Sequence, residues 1–219
     1  MLRSELTGGR LTAMDAAAHM ALDEAVLLGS APDALVLRIY EWKGEACTFG
    51  FSQKYADAKA ACKKGIEPVR RATGGGIVFH DGDVTFSLVF PWDKTRAPET
   101  IYRNIHRGIH LALKARGTAN GMWSSTGQAP GIAASCFARA EKDDLVDEDD
   151  NKIMGGALRK KGTKGLYQGS LRVRVPSEVV LDGITREFGP ASLEIHSPWL
   201  EAGERLESRY RSAEWNERR

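Results

Sequence analysis

The spacing of apolar residues predicts an amphipathic helix near the start of the chain, over residues 12–28. Apolar side chains recur there every three or four residues, which places them on one side of a helix. The segment 12–15 is also typical of a helix start. The apolar positions are Met14, Ala17, Ala21, Ala25 and Leu28.

Alternating apolar and polar residues predict strands in the following segments. Residues 35–40 and 46–51 form two such runs, and Lys43-Gly44 between them favours a turn, so this pair is predicted to be a hairpin. A further strand covers residues 84–90, and Pro91 ends it.

Two helices are predicted around these strands. Residues 54–64 are rich in alanine and lysine and end at Gly65. Residues 99–116 show apolar positions at helical spacing before Gly117. Residues 121–134 have no clear periodicity, so we expect a loop there.

The second half of the chain predicts two hairpins followed by two helices. The first hairpin joins 144–146 to 152–158 through an acidic turn, and the second passes through 161–165 into a strand over 166–175. Helical spacing returns at residues 177–188 and 200–215.

This order of elements predicts an α+β fold with a mainly antiparallel or mixed sheet flanked by helices, which we expect on one side of the sheet. A chain of 219 residues suits one domain. We therefore expect a single catalytic-type domain over residues 1–219, with 177–219 as a helical C-terminal extension and no separate accessory domain.

Composition excludes several classes of protein. A net charge of +2 gives no nucleic-acid footprint, and Asp23 and Glu24 interrupt the N-terminal apolar stretch, which excludes a signal peptide or membrane span. The three cysteines are scattered, which argues against a disulfide framework or zinc site and for a cytoplasmic location. The histidines show no metal-ligand spacing, so no metal is expected.

A glycine-rich segment carries the strongest chemical signal. Arg70 and Arg71 precede Gly74-Gly75-Gly76, where the absence of Cβ atoms lets backbone approach a ligand. Guanidinium groups and backbone N–H groups together suit a carboxylate, a phosphate or a developing oxyanion. The spacing is neither a Walker A nor a dinucleotide-binding motif, and a structural bulge is the alternative explanation.

This loop, with Thr73 before the glycines and His80-Asp81 after them, resembles the signature of the lipoate–protein ligase and octanoyltransferase superfamily. Other segments resemble the family in the same order, which implies a biotin/lipoate ligase-like catalytic domain. They are residues 19–25, 37–42, 48–53, 144–145, 151–157 and 168–171. Two positions depart from the family pattern: Asn151 replaces a usual glycine, and Tyr167 replaces a common histidine.

The resemblance implies roles for particular residues. Lys152 would hold the acyl carbonyl or acyl phosphate, and Cys136 would be the nucleophile, as in the cysteine-dependent octanoyltransferases. Cys47 and Cys62 are expected to be structural. The implied acyl-binding or adenylate-binding residues are Arg70, Arg71, Thr73, Gly74, Gly75, Gly76, His80, Gly155, Ala157 and Gly169.

The implied activity is transfer of an octanoyl or lipoyl group to a lysine of lipoyl-domain proteins through a cysteine thioester. Expected acceptors are 2-oxoacid dehydrogenase subunits or the glycine cleavage H protein, and acyl carrier protein is the expected donor. No tightly bound cofactor, nucleic acid or membrane partner is expected. One alternative is ATP-dependent lipoate ligation through lipoyl-AMP, which needs ATP and Mg. Another is a non-catalytic acyl or lipoyl-domain binding module.

Two further expectations concern the acyl chain and the partner. Burial of an eight-carbon chain contributes roughly 5 kcal/mol at about 0.8 kcal/mol per methylene, so we expect an apolar slot. Phe79, Phe86 and Leu88 are candidates for its lining, with an ordinary core role as the alternative. The basic segment 159–161 together with Lys164 would steer an acidic carrier or acceptor domain, or would simply be solvated.

Overall fold

A computed structural model describes residues 13–122, 137 and 139–218, and these form six helices and nine strands. The helices are α1 (Ala16–Gly29), α2 (Tyr55–Ala61), α3 (Pro98–Ala115), α4 (Glu178–Phe188), α5 (Ser197–Arg211) and α6 (Ala213–Asn216). The strands are β1 (Val36–Tyr40), β2 (Ala46–Phe49), β3 (Val69–Arg70), β4 (Val78–His80), β5 (Val84–Pro91), β6 (Gly121–Met122), β7 (Leu145–Val146), β8 (Lys152–Lys161) and β9 (Lys164–Leu171).

The strands form two sheets. The larger has six antiparallel strands in the order β1-β5-β9-β8-β7-β6, and its register places Ser87 opposite Gln168 and Gln168 opposite Ala157. The smaller has the order β3-β2-β4, with β2 parallel to β3 and antiparallel to β4. The predicted α+β class with a mainly antiparallel sheet is confirmed, as are the hairpins β7–β8 and β8–β9.

The predicted hairpin over residues 35–51 is wrong. β1 pairs with β5 in the large sheet, whereas β2 pairs with β3 and β4 in the small one. Between them, Lys43 N–H donates to the carbonyl of Met14 at 2.9 Å, and Met14 forms a bridge with Trp42. The predicted turn at Lys43-Gly44 therefore contacts the segment before α1. It does not close a hairpin, because β1 and β2 belong to different sheets.

Helices cover both faces of the large sheet, which corrects the expectation of a one-sided layer. On β5, Phe86 and Leu88 belong to the cluster packed against α3 and α4. Val89, which follows Leu88 and points to the opposite face, belongs to a second cluster with residues of α1 and α5. Residues 85–90 are therefore all buried, as expected for a strand with both faces covered.

Several element ends differ from the prediction. Helix α1 begins after Asp15, whose carboxylate caps Ala18 N–H at 3.1 Å, rather than at residue 12. The predicted helix over 200–215 is two helices, because Ser212 ends α5 and its hydroxyl caps Trp215 N–H of α6. Strand β9 ends at Leu171, before residue 175. Residues 123–134 of the predicted loop lie outside the described residues.

None of the helices formed by the described residues has both the length and the apolar character that a membrane-spanning helix needs.

A buried histidine lies between α3 and the sheet. His106 is fully buried, its Nε2 lies 2.7 Å from the Tyr167 hydroxyl, and its ring stacks on Tyr102 with centroids 4.0 Å apart. Burial, assisted by the Lys152 cation, lowers the pKa of His106 to about 3. The folded protein therefore holds this histidine neutral throughout the mildly acidic range.

We expect stability to fall as the pH falls from about 6.5 towards 4. The unfolded chain binds a proton at His106 near pH 6.5, while the folded chain binds it only near pH 3, so this stabilisation is complete above pH 6.5 and lost below it. At pH 5 the loss from this histidine is about 2 kcal/mol in the free energy of unfolding. Urea unfolding between pH 7 and 4.5 measures it.

The variant His106→Gln removes this titration and is expected to reduce that dependence by the contribution of one histidine, because burial also lowers the pKa of His19 to about 3. His196→Gln, at a position whose side chain is 50% exposed, controls for loss of a histidine. An identical pH slope in wild type and His106→Gln contradicts the assignment.

Candidate active site

A narrow cavity of about 30 Å³ opens between α1, the two sheets and the glycine loop. Its lining combines aromatic, aliphatic and hydroxyl side chains with backbone at glycines. The lining residues are Met20, Tyr40, Trp42, Thr48, Arg71, Gly75, Val78, His80, Thr85, Phe137, Gly155, Gly156, Ala157, Gln168, Gly169 and Ser170.

Six residues from the predicted set line this cavity. They come from four separate parts of the chain: the glycine loop, β4, β8 and β9. They are Arg71, Gly75, His80, Gly155, Ala157 and Gly169. The fold therefore brings the predicted loop and the predicted strands β8 and β9 around one space.

Arg71 holds the glycine loop in a tight bend. Its Nη2 donates to the carbonyls of Gly74 and Gly76 at 2.8 and 2.9 Å. Gly75 between them has a φ of +85°, a conformation that favours glycine. A Cβ on Gly50 would lie 1.9 Å from the Gly75 carbonyl oxygen, so backbone packs directly on backbone there. Arg71 thus shapes the loop as well as lining the cavity.

Arg70 points away from the cavity. Its guanidinium donates to the carbonyls of Phe51 and Gln53, both at 2.7 Å, and to those of Trp215 and Asn216 at 3.1 and 2.7 Å. It is fully buried over the Phe49 ring. The two adjacent arginines therefore differ in role: Arg70 fastens α6 to the small sheet.

Lys152 lies at the edge of the cavity in a buried ion pair. Its side chain is 4% exposed, and Nζ lies 2.7 Å from Asp144 Oδ2. A Cβ on cavity-lining Gly155 would lie 2.6 Å from that Nζ, so the ammonium occupies the space that the glycine leaves. Asp144 also accepts from the Tyr102 hydroxyl at 2.5 Å and from Glu141 N–H at 2.6 Å. Burial raises the pKa of Asp144, and these donors together with Lys152 limit the rise.

His80 forms one wall of the cavity. Its Nδ1 lies 2.9 Å from Asp83 Oδ2 and its Nε2 lies 2.9 Å from the Thr48 hydroxyl. Since a carboxylate only accepts, Nδ1 carries the proton and Nε2 accepts from Thr48. Burial lowers the pKa of His80 despite the neighbouring carboxylate, so the ring is neutral near pH 7. The Trp42 ring stacks on the His80 ring, with centroids 3.9 Å apart.

Ten of the sixteen described residues that line the cavity were not among the predicted site residues, and Trp42, Gln168 and Tyr40 are three of them. Tyr40 ends the predicted strand over 35–40, and Trp42 follows that strand. Gln168 donates to Asp23 of α1, a contact across 145 residues. Alternation predicts only a strand position for Tyr40 and Gln168, and only the fold makes these three residues neighbours.

The predicted apolar lining is wrong. Phe86 and Leu88 are fully buried in the core on the α3 and α4 face of the sheet. Phe79 packs with Cys47 and Cys62 beneath the small sheet. Thr85, on the opposite face of β5 from Phe86, lines the cavity instead. The alternation was correct, but the other face of the strand meets the site.

Two of the three cysteines, Cys47 and Cys62, are among the described residues. Cys136 lies outside the described residues. Phe137, which follows it in the sequence, lines the cavity, and its ring lies 3.7 Å from Arg172 Cζ. Cys47 is fully buried, and burial raises the pKa of both Cys47 and Cys62. These two thiols are poor nucleophiles.

The chain is similar to proteins of known activity. Residues 15–188 match the lipoyl protein ligase A/B catalytic domain. Octanoyltransferase LipM of Carboxydothermus hydrogenoformans is 30% identical over 167 residues, 73% of this chain and 61% of the relative. Octanoyltransferase LipM of Oceanobacillus iheyensis is 31% identical over 182 residues, 78% of this chain and 65% of the relative. The chain thus spans slightly less than two thirds of these relatives.

Solved structures share the fold. The crystal structure of lipoate-protein ligase A bound with ATP aligns with a TM-score of 0.76 at 20% identity, covering 94% of this chain and 95% of that one. A bi-partite lipoate protein ligase from Thermoplasma acidophilum aligns with a TM-score of 0.74 at 20% identity, covering 94% and 92%. The family match covers most of the described chain, including every cavity-lining residue. The chain belongs to the lipoyl protein ligase A/B catalytic domain family.

Proposed function

We propose that this chain transfers an octanoyl or lipoyl group to a lysine of a lipoyl-domain protein, forming an amide. The observation that supports this most is the position of the Lys152 ammonium at the edge of a narrow cavity bounded by the glycine loop. Its relatives named octanoyltransferase LipM favour octanoyl as the group transferred.

The chemistry of the cavity lining suits an alkyl chain although hydroxyl groups form part of it. Trp42 Nε1 donates to the Thr85 hydroxyl at 2.8 Å, and the Thr85 and Ser170 hydroxyls donate to Asp83 at 2.7 and 2.6 Å. These polar atoms have partners within the protein, so covering them with methylenes leaves those hydrogen bonds intact. Met20, Val78 and Ala157 supply apolar contacts.

Lys152 would stabilise charge on the acyl carbonyl oxygen. An ammonium fixed by Asp144 is oriented before the reaction and needs no reorganisation as the oxyanion forms. Loss of one such donor typically costs about 2.7–4 kcal/mol in the barrier. Gly155 contributes by leaving room for the lysine to reach the edge of the cavity.

Cys136 would be the nucleophile. Its thiolate attacks the acyl carbonyl of an acyl carrier protein thioester, a new sulfur–carbon bond forms, and the donor thiol leaves with a proton. The acceptor lysine amine then attacks this thioester, the amide forms and the Cys136 thiol is released. The cavity position of Phe137, next in the sequence, supports this role.

ATP-dependent ligation through lipoyl-AMP, with ATP and Mg, is the less favoured alternative. In that reaction Arg70, Arg71 and Lys152 would face phosphate. The Arg70 guanidinium instead donates to four backbone carbonyls away from the cavity. The transfer reaction needs no tightly bound cofactor.

The acceptor would be a lipoyl-domain protein such as a 2-oxoacid dehydrogenase subunit or the glycine cleavage H protein. The β8–β9 turn provides a basic surface for it. Arg159 donates to the Ala72 carbonyl and Lys164 to the Ser30 carbonyl, so these two hold the fold. Lys160 and Lys161 are exposed and are the docking candidates.

We expect Lys152→Ala to lower octanoyl transfer by at least about 100-fold, because it removes the oxyanion donor. Cys136→Ser is expected to abolish transfer and to prevent trapping of a thioester. The assay mixes the chain with octanoyl carrier protein and a lipoyl domain, and intact-protein mass spectrometry follows the octanoyl group on each.

Cys62→Ser is the matched control, since Cys62 is a half-buried thiol outside the cavity. Full activity of Lys152→Ala contradicts the site, and an octanoyl group trapped in thioester linkage on Cys136→Ser contradicts the nucleophile. A parallel reaction with free lipoate and Mg-ATP but no carrier protein yields product only if the ligase alternative holds.

We expect the second-order rate with the protein acceptor to fall roughly threefold or more between 50 and 500 mM salt, since rim charges are screened. Lys161→Glu should lower the rate at low salt, whereas Lys114→Glu, an exposed lysine in the last turn of α3, should not. Transfer to hydroxylamine measures the chemistry without docking. A rate independent of salt with the protein acceptor rejects the docking surface.

A further inference from the structure

Asp23 of α1 lies beside the cavity without lining it and receives four donors. The residue is 1% exposed. Arg38 Nη1 and the Ser87 hydroxyl reach Oδ1, the latter at 2.5 Å. Gln168 Nε2 and the Tyr40 hydroxyl reach Oδ2 at 2.6 and 3.3 Å. A carboxylate has about four acceptor positions, so Asp23 is fully occupied.

Asp23 determines which way the Gln168 amide points. Since a carboxylate only accepts, Gln168 must turn its NH₂ group towards Asp23. The amide oxygen then faces the glycine loop, where it accepts from the Thr73 hydroxyl at 2.6 Å. The chain of hydrogen bonds therefore has one direction, from Thr73 through Gln168 to Asp23.

Thr73 is the residue of the glycine loop that this chain holds. Its hydroxyl is fixed by Gln168, and its carbonyl accepts from Phe51 N–H at 2.8 Å. Thr73 precedes Gly74, the first carbonyl that Arg71 binds. The loop is thus attached on one side to the small sheet and on the other, through Gln168, to α1.

We propose that Asp23 is a positioning residue that, through the Gln168 amide, holds Thr73 and with it the glycine loop in the conformation that closes the acyl cavity. The proposal rests on the proposed acyl transfer for its activity readout only. The conformation of the loop can be measured without any substrate.

The first test is Asp23→Asn. Because Arg38 and Ser87 donate on the other side of this residue, they hold the single amide oxygen there, and the NH₂ group then faces Gln168, which needs an acceptor. We expect kcat/KM for the octanoyl donor to fall about 10- to 100-fold, as for loss of a hydrogen bond to a charged group. Amide hydrogen exchange in residues 72–77 should rise at least about tenfold, as local opening becomes easier. Ser87→Ala removes a donor from the same carboxylate but leaves Gln168 in place, and should change neither value.

The double variant Asp23→Asn with Gln168→Glu reverses the donor and the acceptor of the central hydrogen bond. The introduced amide donates to the introduced carboxylate, which still accepts from Thr73 and still leaves a negative charge near Arg38. We expect exchange in residues 72–77 to return near the wild-type rate and kcat/KM to recover to within about threefold. A role limited to supplying packing predicts no such rescue, so its absence overturns the proposal.

If Asp23→Asn does not fold, Gln168→Met tests the proposal instead. It removes the Gln168 amide but keeps the Asp23–Arg38 pair. It should raise exchange in residues 72–77 as Asp23→Asn does, and wild-type exchange in this variant overturns the proposal. If the wild-type chain transfers no acyl group while Gln168→Met still loosens the loop, the proposed function fails and the positioning role stands.

Discussion

The site depends on one physical constraint: polar side chains buried on one face of the large sheet must all find hydrogen-bond partners. Ser87, Gln168 and Ser170 lie on that face and are almost fully buried. An unpaired polar group there costs about 1–3 kcal/mol, so partners must come from other elements. Asp23 of α1 serves Ser87 and Gln168, and Asp83 serves Ser170. The bonds to Gln168 and Ser170, which line the cavity, thereby also fix its walls.

Glycine on β8 and β9 makes room on both faces of the sheet. On the cavity face, Gly155 leaves space for the Lys152 ammonium. On the other face, a Cβ on Gly156 would lie 2.1 Å from the Tyr167 hydroxyl, and a Cβ on Gly169 would lie 2.6 Å from the Tyr167 ring. Tyr167, at the position of a common family histidine, therefore lies in the core and not in the cavity. Its hydroxyl contacts His106 of α3 instead.

Local pattern predicted what local forces determine. The hairpins β7–β8 and β8–β9 follow from alternation and turn residues, and α3 from its apolar spacing. The hairpin over residues 35–51 failed because the contact between Lys43 and Met14 joins segments that no local pattern relates. The one-sided helix layer failed because a strand with both faces buried still contains alternating residues such as Thr85 and Ser87.

The candidate site divides in the same way. Resemblance singled out the glycine loop, His80 and Lys152 as candidates, but it treated Arg70 and Arg71 alike. The two side chains point in opposite directions because successive residues alternate at the end of β3. Arg70 thereby reaches the carbonyls of Trp215 and Asn216 in α6. The role proposed for Asp23 could not be predicted from the sequence, because its partners Arg38, Ser87 and Gln168 become neighbours only in the folded sheet.

Charge compensation connects the site with the chemistry proposed for it. The Lys152 ammonium is matched by Asp144 and the Arg38 guanidinium by Asp23, each within a buried pair. Burial keeps His80 neutral beside Asp83. Buried cations whose charge is already balanced act as directed hydrogen-bond donors more than as a general attraction for anions. A neutral acyl thioester needs such a directed donor at its carbonyl, and its alkyl chain needs a surface whose polar groups already have partners.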